Sequence, residues 1–245
     1  MTVNRRQLVL RRERKEVRSL LHPRLFNFRI LARCLFLTAW ASFSVFAQPP
    51  NVAVGSALRA PELVELTRLD STIHLDIRYA TSRNFMGMPM YSIARAFLQR
   101  PAAEALVSAN RAVAKHGFGL LVFDAYRPWS VTKAFWDSVV PAKRSFVADP
   151  AKGSVHNRGC AVDLSLYDLA TGKEVVMPSP FDDFTRRASP RYGGGTVVQR
   201  RRRDFLRRIM EEAGFSVNKG EWWHFDYKDW RKYPILNVPL ENVSP

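Results

Sequence analysis

The spacing of apolar and polar side chains changes several times along the chain. From Ile73 to Tyr79 they alternate one for one (Ile-His-Leu-Asp-Ile-Arg-Tyr), the period of a half-buried strand. Asn84 to Tyr91 carries Gly87 and Pro89 and reads as a loop. After Pro101 the period lengthens: Ala105, Leu106, Ala109, Ala112 and Val113 make the apolar stripe of a helix. Lys115, His116 and Gly117 end that helix, cations at the negative end of its dipole and then glycine. Gly119 to Phe123 is apolar throughout, a strand covered on both faces, and Ser130 is placed to cap a short helix running to about 138. Ala161 to Leu166 is a further strand. Arg200 to Ala213 is a helix with Phe205, Leu206, Ile209, Met210 and Ala213 on one side, closed by Gly214. Trp222 to Tyr227 is the last strand, with one tryptophan on each face. Strands and helices without regular alternation predict one α+β domain over 48–245.

Composition changes this picture mainly at the N-terminus. The 245 residues hold 38 Lys and Arg against 22 Asp and Glu, a formal charge of +16. Ten of the basic residues and two of the acids lie in 1–47, so half of the excess sits in the first fifth of the chain. An uncharged run of 13 residues follows, Cys34 to Phe46. A helix of that length rises roughly 20 Å, short of a ~30 Å hydrocarbon core. Val45-Phe46-Ala47 then offers small residues at a cleavage site, and Gln48-Pro-Pro stops any helix. A basic start, a short apolar middle and a small-x-small end read as a secretory signal over 1–47 and predict export, to the periplasm. One cysteine, Cys160, is left after it, so a disulfide scaffold is excluded, and so are Cys-x-x-Cys zinc fingers and glycine-rich phosphate loops. The Arg200–Arg203 run lies on the polar face of a helix; a solvated face, in weak contact at most with anionic wall polymers, suits an exported protein better than nucleic acid.

Four segments carry candidate chemistry: Asp124-Ala-Tyr-Arg-Pro128, Ser154-Val-His-Asn-Arg-Gly-Cys-Ala-Val-Asp163, Phe181-Asp182 and Glu221-Trp-Trp-His224. His156, Asp163 and His224 together make a three-ligand zinc set of the hydrolytic kind, which leaves a coordination position for water. Glu221, three residues before His224, is the candidate base that is not a ligand. Residues three apart in a strand face opposite ways, so Glu221 must sit in a turn begun at Gly220, with His224 inside the strand. Arg127, held extended by Pro128 at a strand end, is a candidate oxyanion partner. Ser154 either binds substrate, orients a ligand or caps a turn. A Cys160–His156 thiol pair is the weaker alternative, because nothing near Cys160 would lower its pKa.

In this order, Asp-Ala-Tyr-Arg-Pro, Ser-x-His-x-x-Gly-x-Ala-x-Asp and Glu-Trp-Trp-His resemble the D-alanyl-D-alanine dipeptidase family, zinc enzymes related to zinc D,D-carboxypeptidases and to the Hedgehog signalling domain fold. The likeness runs from about Leu75 to Pro234 and takes in Tyr79-Ala-Thr and Asn84-Phe-x-Gly87. It implies a small, mainly antiparallel sheet carrying the metal, with flanking helices. It implies His156, Asp163 and His224 as ligands to one zinc, Glu221 as general base and acid, and Arg127 as transition-state partner. Asp182 would pair with the ammonium of a free D,D-dipeptide, with Tyr79 and Ser154 lining the site. A carboxypeptidase acting on peptidoglycan stems and a non-catalytic wall-binding module are the rival expectations.

Overall fold

The structure, a computed structural model, describes residues 48–50 and 58–244. The export signal read at 1–47 lies outside the described residues. Two long apolar runs dictate the centre of the fold. β4 (Phe118–Asp124) and β5 (Ala161–Asp168) pair antiparallel, and nearly every residue of both is buried. Gly119 lies opposite Tyr167, whose ring lies across it where a Cβ would clash, so glycine leaves room for the ring against β4. β2 (His74–Leu75) flanks β4 in parallel; β7 (His224–Tyr227) and β6 (Phe215–Val217) continue the sheet antiparallel beyond β5. The strand order is therefore β2-β4-β5-β7-β6. A second sheet has two strands, β1 (Leu63–Glu65) and β3 (Phe97–Gln99), with the one-turn α1 (Leu66–Leu69) after β1.

Helices α2 (Arg100–Ala114) and α4 (Val197–Glu212) pack on each other and on the sheet, through Leu106, Val113, Leu206 and Met210 among others. Burying each such side chain stabilises the fold by about 1.5–3 kcal/mol. α3 (Trp129–Ser138) leaves β4 at the site end and brings Phe135 into the core. The mainly antiparallel sheet with flanking helices matches the α+β architecture expected from the sequence.

Local departures have physical reasons. The alternating run 73–79 keeps its pattern, with Ile73, Ile77 and Tyr79 buried and His74 exposed, but only two of its residues are strand. Arg78–Ala80 turns into 3₁₀ helix, and the Tyr79 carbonyl accepts from the Met90 and Tyr91 N–H groups, which swings Tyr79 toward the sheet end. α3 starts at Trp129 with Pro128 before it; Ser130 is not its cap, and the Ser130 N–H is instead met by Asn237 Oδ1 at 2.8 Å. α4 begins three residues earlier than expected, because Thr196 and Gln199 form a reciprocal capping box; Gly214, at φ 90°, ends the turn as expected. Trp222 and Trp223 do not share a strand: both are buried in the turn before β7, with rings 5.5 Å apart and edge to face.

Candidate functional site

Strand register builds the site. Asp124 lies opposite Asp163, and Asp163 lies opposite His224, so β4, β5 and β7 set one row of polar side chains across the sheet. His156 reaches the same point from a 3₁₀ turn, His156–Arg158. That turn is closed by Gly159 at φ 66°, where a Cβ would also meet Leu63 at 2.5 Å. The His156 Nδ1 lies 2.6 Å from the Ala125 carbonyl. A carbonyl only accepts, so Nδ1 carries the proton and Nε2 offers its lone pair inward. His224 is the mirror case: its Nε2 lies 2.8 Å from Asp226 Oδ1, which leaves Nδ1 facing inward. The two inward nitrogens are 3.1 Å apart, and Asp163 Oδ1 is 3.4 Å from one and 3.0 Å from the other.

One ligand atom from each of His156, Asp163 and His224 thus lies within 4.8 Å of the others, all three residues buried. Among the described residues, Asp163 Oδ1 is buried without a hydrogen-bond partner. Two lone pairs and an unsatisfied carboxylate oxygen converging on one point repel one another unless a cation sits between them. Two imidazoles and one carboxylate suit zinc, and the chain's residues fit a metal here. Burial alone would raise the Asp163 pKa; positive charge at the His156 and His224 positions overrides it and holds the carboxyl well below the usual range, so this point favours a carboxylate only with a cation beside it.

Glu221 sits in the turn ahead of β7, as its spacing from His224 requires. Its Oε2 is 3.9 Å from His224 Nδ1, and burial, with Asp163 nearby, pushes its carboxyl up to about 7 against the pull of His224. Arg127 follows β4 and is held by Asp124 Oδ2, at 2.9 Å from Nε and 2.6 Å from an Nη. Asp124 Oδ1 accepts from Tyr91 Oη at 2.8 Å and from the Ala125 N–H at 2.9 Å. The guanidinium lies 3.6 Å from Asp163 and over the rings of Phe135 and Tyr79.

Asp182 occupies the facing wall. It takes φ 59°, a left-handed conformation that Asp tolerates. Tyr79 Oη donates to its carboxylate at 3.1–3.2 Å. Burial, followed by the charge of Asp163, lifts the Asp182 carboxyl to about 8. Ser154 Oγ accepts from the His156 N–H at 3.2 Å, so it caps the turn that carries the ligand while lining the same cavity. Tyr79, Arg127, Ser154, His156, Asp163, Asp182, Glu221 and His224 all face one cavity of about 360 Å³, walled in part by Phe85, Phe135 and Phe184. Cys160 is buried outside that lining, and burial raises its thiol pKa, the opposite of what a nucleophile needs.

The sequence model of the peptidases described as D-ala-D-ala dipeptidase matches residues 59–240. The chain belongs to that family. It is similar to proteins named D-alanyl-D-alanine dipeptidase from three bacteria. The Escherichia coli protein is 31% identical over 175 residues, which is 71% of this chain and 89% of that one. The Enterococcus faecium protein is 33% identical over 192 residues (70% and 95%), and the Enterococcus faecalis protein 35% over 190 residues (68% and 92%).

The residues that hold this set in place are less plain in the sequence than the set itself. Asp226 follows His224 by two in a strand and so faces the same way, a spacing that marks it as a neighbour of the ring. Asp124 lies inside the Asp-Ala-Tyr-Arg-Pro segment, yet its grip on Arg127 needs the turn after β4 to be known. Nothing in the sequence marks the Ala125 carbonyl or Tyr91.

Proposed function

We propose that the chain hydrolyses D-alanyl-D-alanine to two molecules of D-alanine, with His156, Asp163 and His224 holding one zinc ion. The observation that carries this reading is a metal-type donor set and a carboxyl outside it, Glu221, sharing one cavity. When bound, the ion supplies Lewis acidity toward the scissile carbonyl and makes water a stronger nucleophile. Glu221 takes the proton from the attacking water and passes it to the leaving amine. Arg127, fixed by Asp124, faces the carbonyl oxygen as that atom gains charge. Asp182 receives the substrate's ammonium, with Tyr79 Oη donating beside it and Ser154 on the cavity wall.

A raised carboxyl of about 8 favours this role for Asp182, because a bound ammonium supplies the positive charge that its burial denies it. The basic start and short apolar run of 1–47 support export to the periplasm and work on wall-derived peptides. Among the described residues no helix is long and apolar enough to cross a membrane. The test compares free D-Ala-D-Ala with its N-acetylated form. Release of D-alanine from the free dipeptide at least tenfold faster is expected. Equal rates would remove the ammonium role and favour a carboxypeptidase.

A further inference from the structure

The two imidazoles of the metal set are backed by partners of different charge. The hydrogen-bond acceptor behind His156 is neutral, the Ala125 carbonyl at 2.6 Å, with the Asp124 carboxylate farther off at 3.9 Å. Behind His224 stands a carboxylate, Asp226 Oδ1, at 2.8 Å from Nε2. We infer that Asp226 is a positioning residue for the metal: its carboxylate keeps the His224 proton on Nε2, aims Nδ1 at the point shared with His156 and Asp163, and makes that nitrogen the stronger donor. This rests on the zinc reading given above.

Three observations carry it. First, an imidazole has two tautomers and can turn its ring over, so some partner must choose which nitrogen faces the ion. For His224 the Asp226 carboxylate is the acceptor placed to choose, while Nδ1 lies 3.0 Å from Asp163 Oδ1. Second, the backbone under Asp226 is fixed from both sides: it pairs with Ala161 on β5 and with Ser216 on β6. The carboxylate is therefore delivered by two ladders and does not depend on a loop. Third, His224 is the hydrogen-bond partner found for the Asp226 carboxylate among the described residues, and the Asp226 side chain is 29% exposed. Removing the Asp226 carboxylate strips one support from the ligand and leaves no buried charge stranded. Asp226 also lines the cavity beside His224, so solvent reaches the pair from the substrate side.

The test is the zinc dissociation constant of the full-length protein, read by competition with a chromophoric chelator, for wild type, Asp226→Ala and Asp226→Asn. Loss of an outer partner of this kind weakens metal binding about 10–100-fold. Asp226→Ala is expected in that range. Asp226→Asn, which keeps an acceptor oxygen without the charge, is expected between it and wild type. Far-UV circular dichroism of the metal-free proteins should not change and their melting temperature should fall by only a few degrees, the cost of one lost hydrogen bond, which separates lost positioning from lost fold. If the alanine variant does not fold, the near-isosteric asparagine variant decides the matter alone. Zinc affinity within twofold of wild type in a folded variant would overturn the inference while leaving the zinc site standing. Wild-type protein that takes up no zinc would overturn the site itself, and this inference with it.

Discussion

Asp163 and Asp182 are two buried aspartates in one cavity, and their environments drive them in opposite directions. Asp163 has two imidazoles within 3.4 Å and a guanidinium at 3.6 Å, and its pKa falls despite burial. Asp182 has a tyrosine hydroxyl and no ion-pair partner at salt-bridge distance among the described residues, and its carboxyl rises to about 8. The difference shows which charges the fold supplies and which it leaves to arrive from outside. The metal side is complete in its donors, set by strand register and by hydrogen bonds behind each ring. The facing wall is a carboxyl short of a cation, mounted on a turn in a cavity lined by phenylalanines, and it is where we propose the substrate ammonium binds.

The largest break in this contrast comes from removing a donor. His156→Ala should drop zinc below one-tenth of an equivalent and take D-alanine release to background, read by metal analysis and amine assay on one sample. Glu221→Ala should separate the two readouts: zinc stays near one equivalent while kcat falls about 10²–10⁴-fold. Zinc lost along with activity would make Glu221 a ligand and not a base. Arg127→Ala should lower kcat about 10²–10³-fold. It should also destabilise the fold by about 3–5 kcal/mol, because Asp124 is left buried without its ion-pair partner. Denaturant unfolding of the metal-free protein measures that loss.

The last test sharpens the Asp182 half, through an effect on activity confined to substrate preference. Its carboxyl ionises near 3.8 when unperturbed and near 8 in the fold. Between those values the folded chain holds a proton that the unfolded chain has released. The Asp182 contribution to stability therefore declines as pH rises from about 4 to about 8. Asp182→Asn removes that slope, and asparagine tolerates the same left-handed backbone. The metal-free variant should melt above wild type at pH 8.5 and level with it near pH 4, while losing its preference for the free dipeptide. Parallel melting curves across that range would show that Asp182 is not held neutral.

Much of the site was legible in the sequence, because its elements are long or its residues lie close in the chain. The run Gly119–Phe123 announced β4, and the Glu221 to His224 spacing forced a turn before the last strand. Tyr79 ends the alternating run and Asp182 lies in a segment with candidate chemistry, but the roles given to both come from the family resemblance. What stayed hidden depends on register and turn geometry. β1, β3 and β6 are three residues each, too short to show a period. The opposition of Asp163 and His224 is a ladder contact between strands separated by a long connection. The outer partners, Asp124, Asp226 and the Ala125 carbonyl, acquire meaning only once that ladder exists.

The central claim is that His156, Asp163 and His224 hold one zinc on which dipeptide hydrolysis depends. The direct measurement follows zinc content and D-alanine release together through stripping by a chelator and stepwise return of zinc. Activity should vanish with the metal and return in proportion, reaching its plateau at one zinc per chain. Undiminished hydrolysis of D-Ala-D-Ala by protein carrying no zinc would contradict the claim.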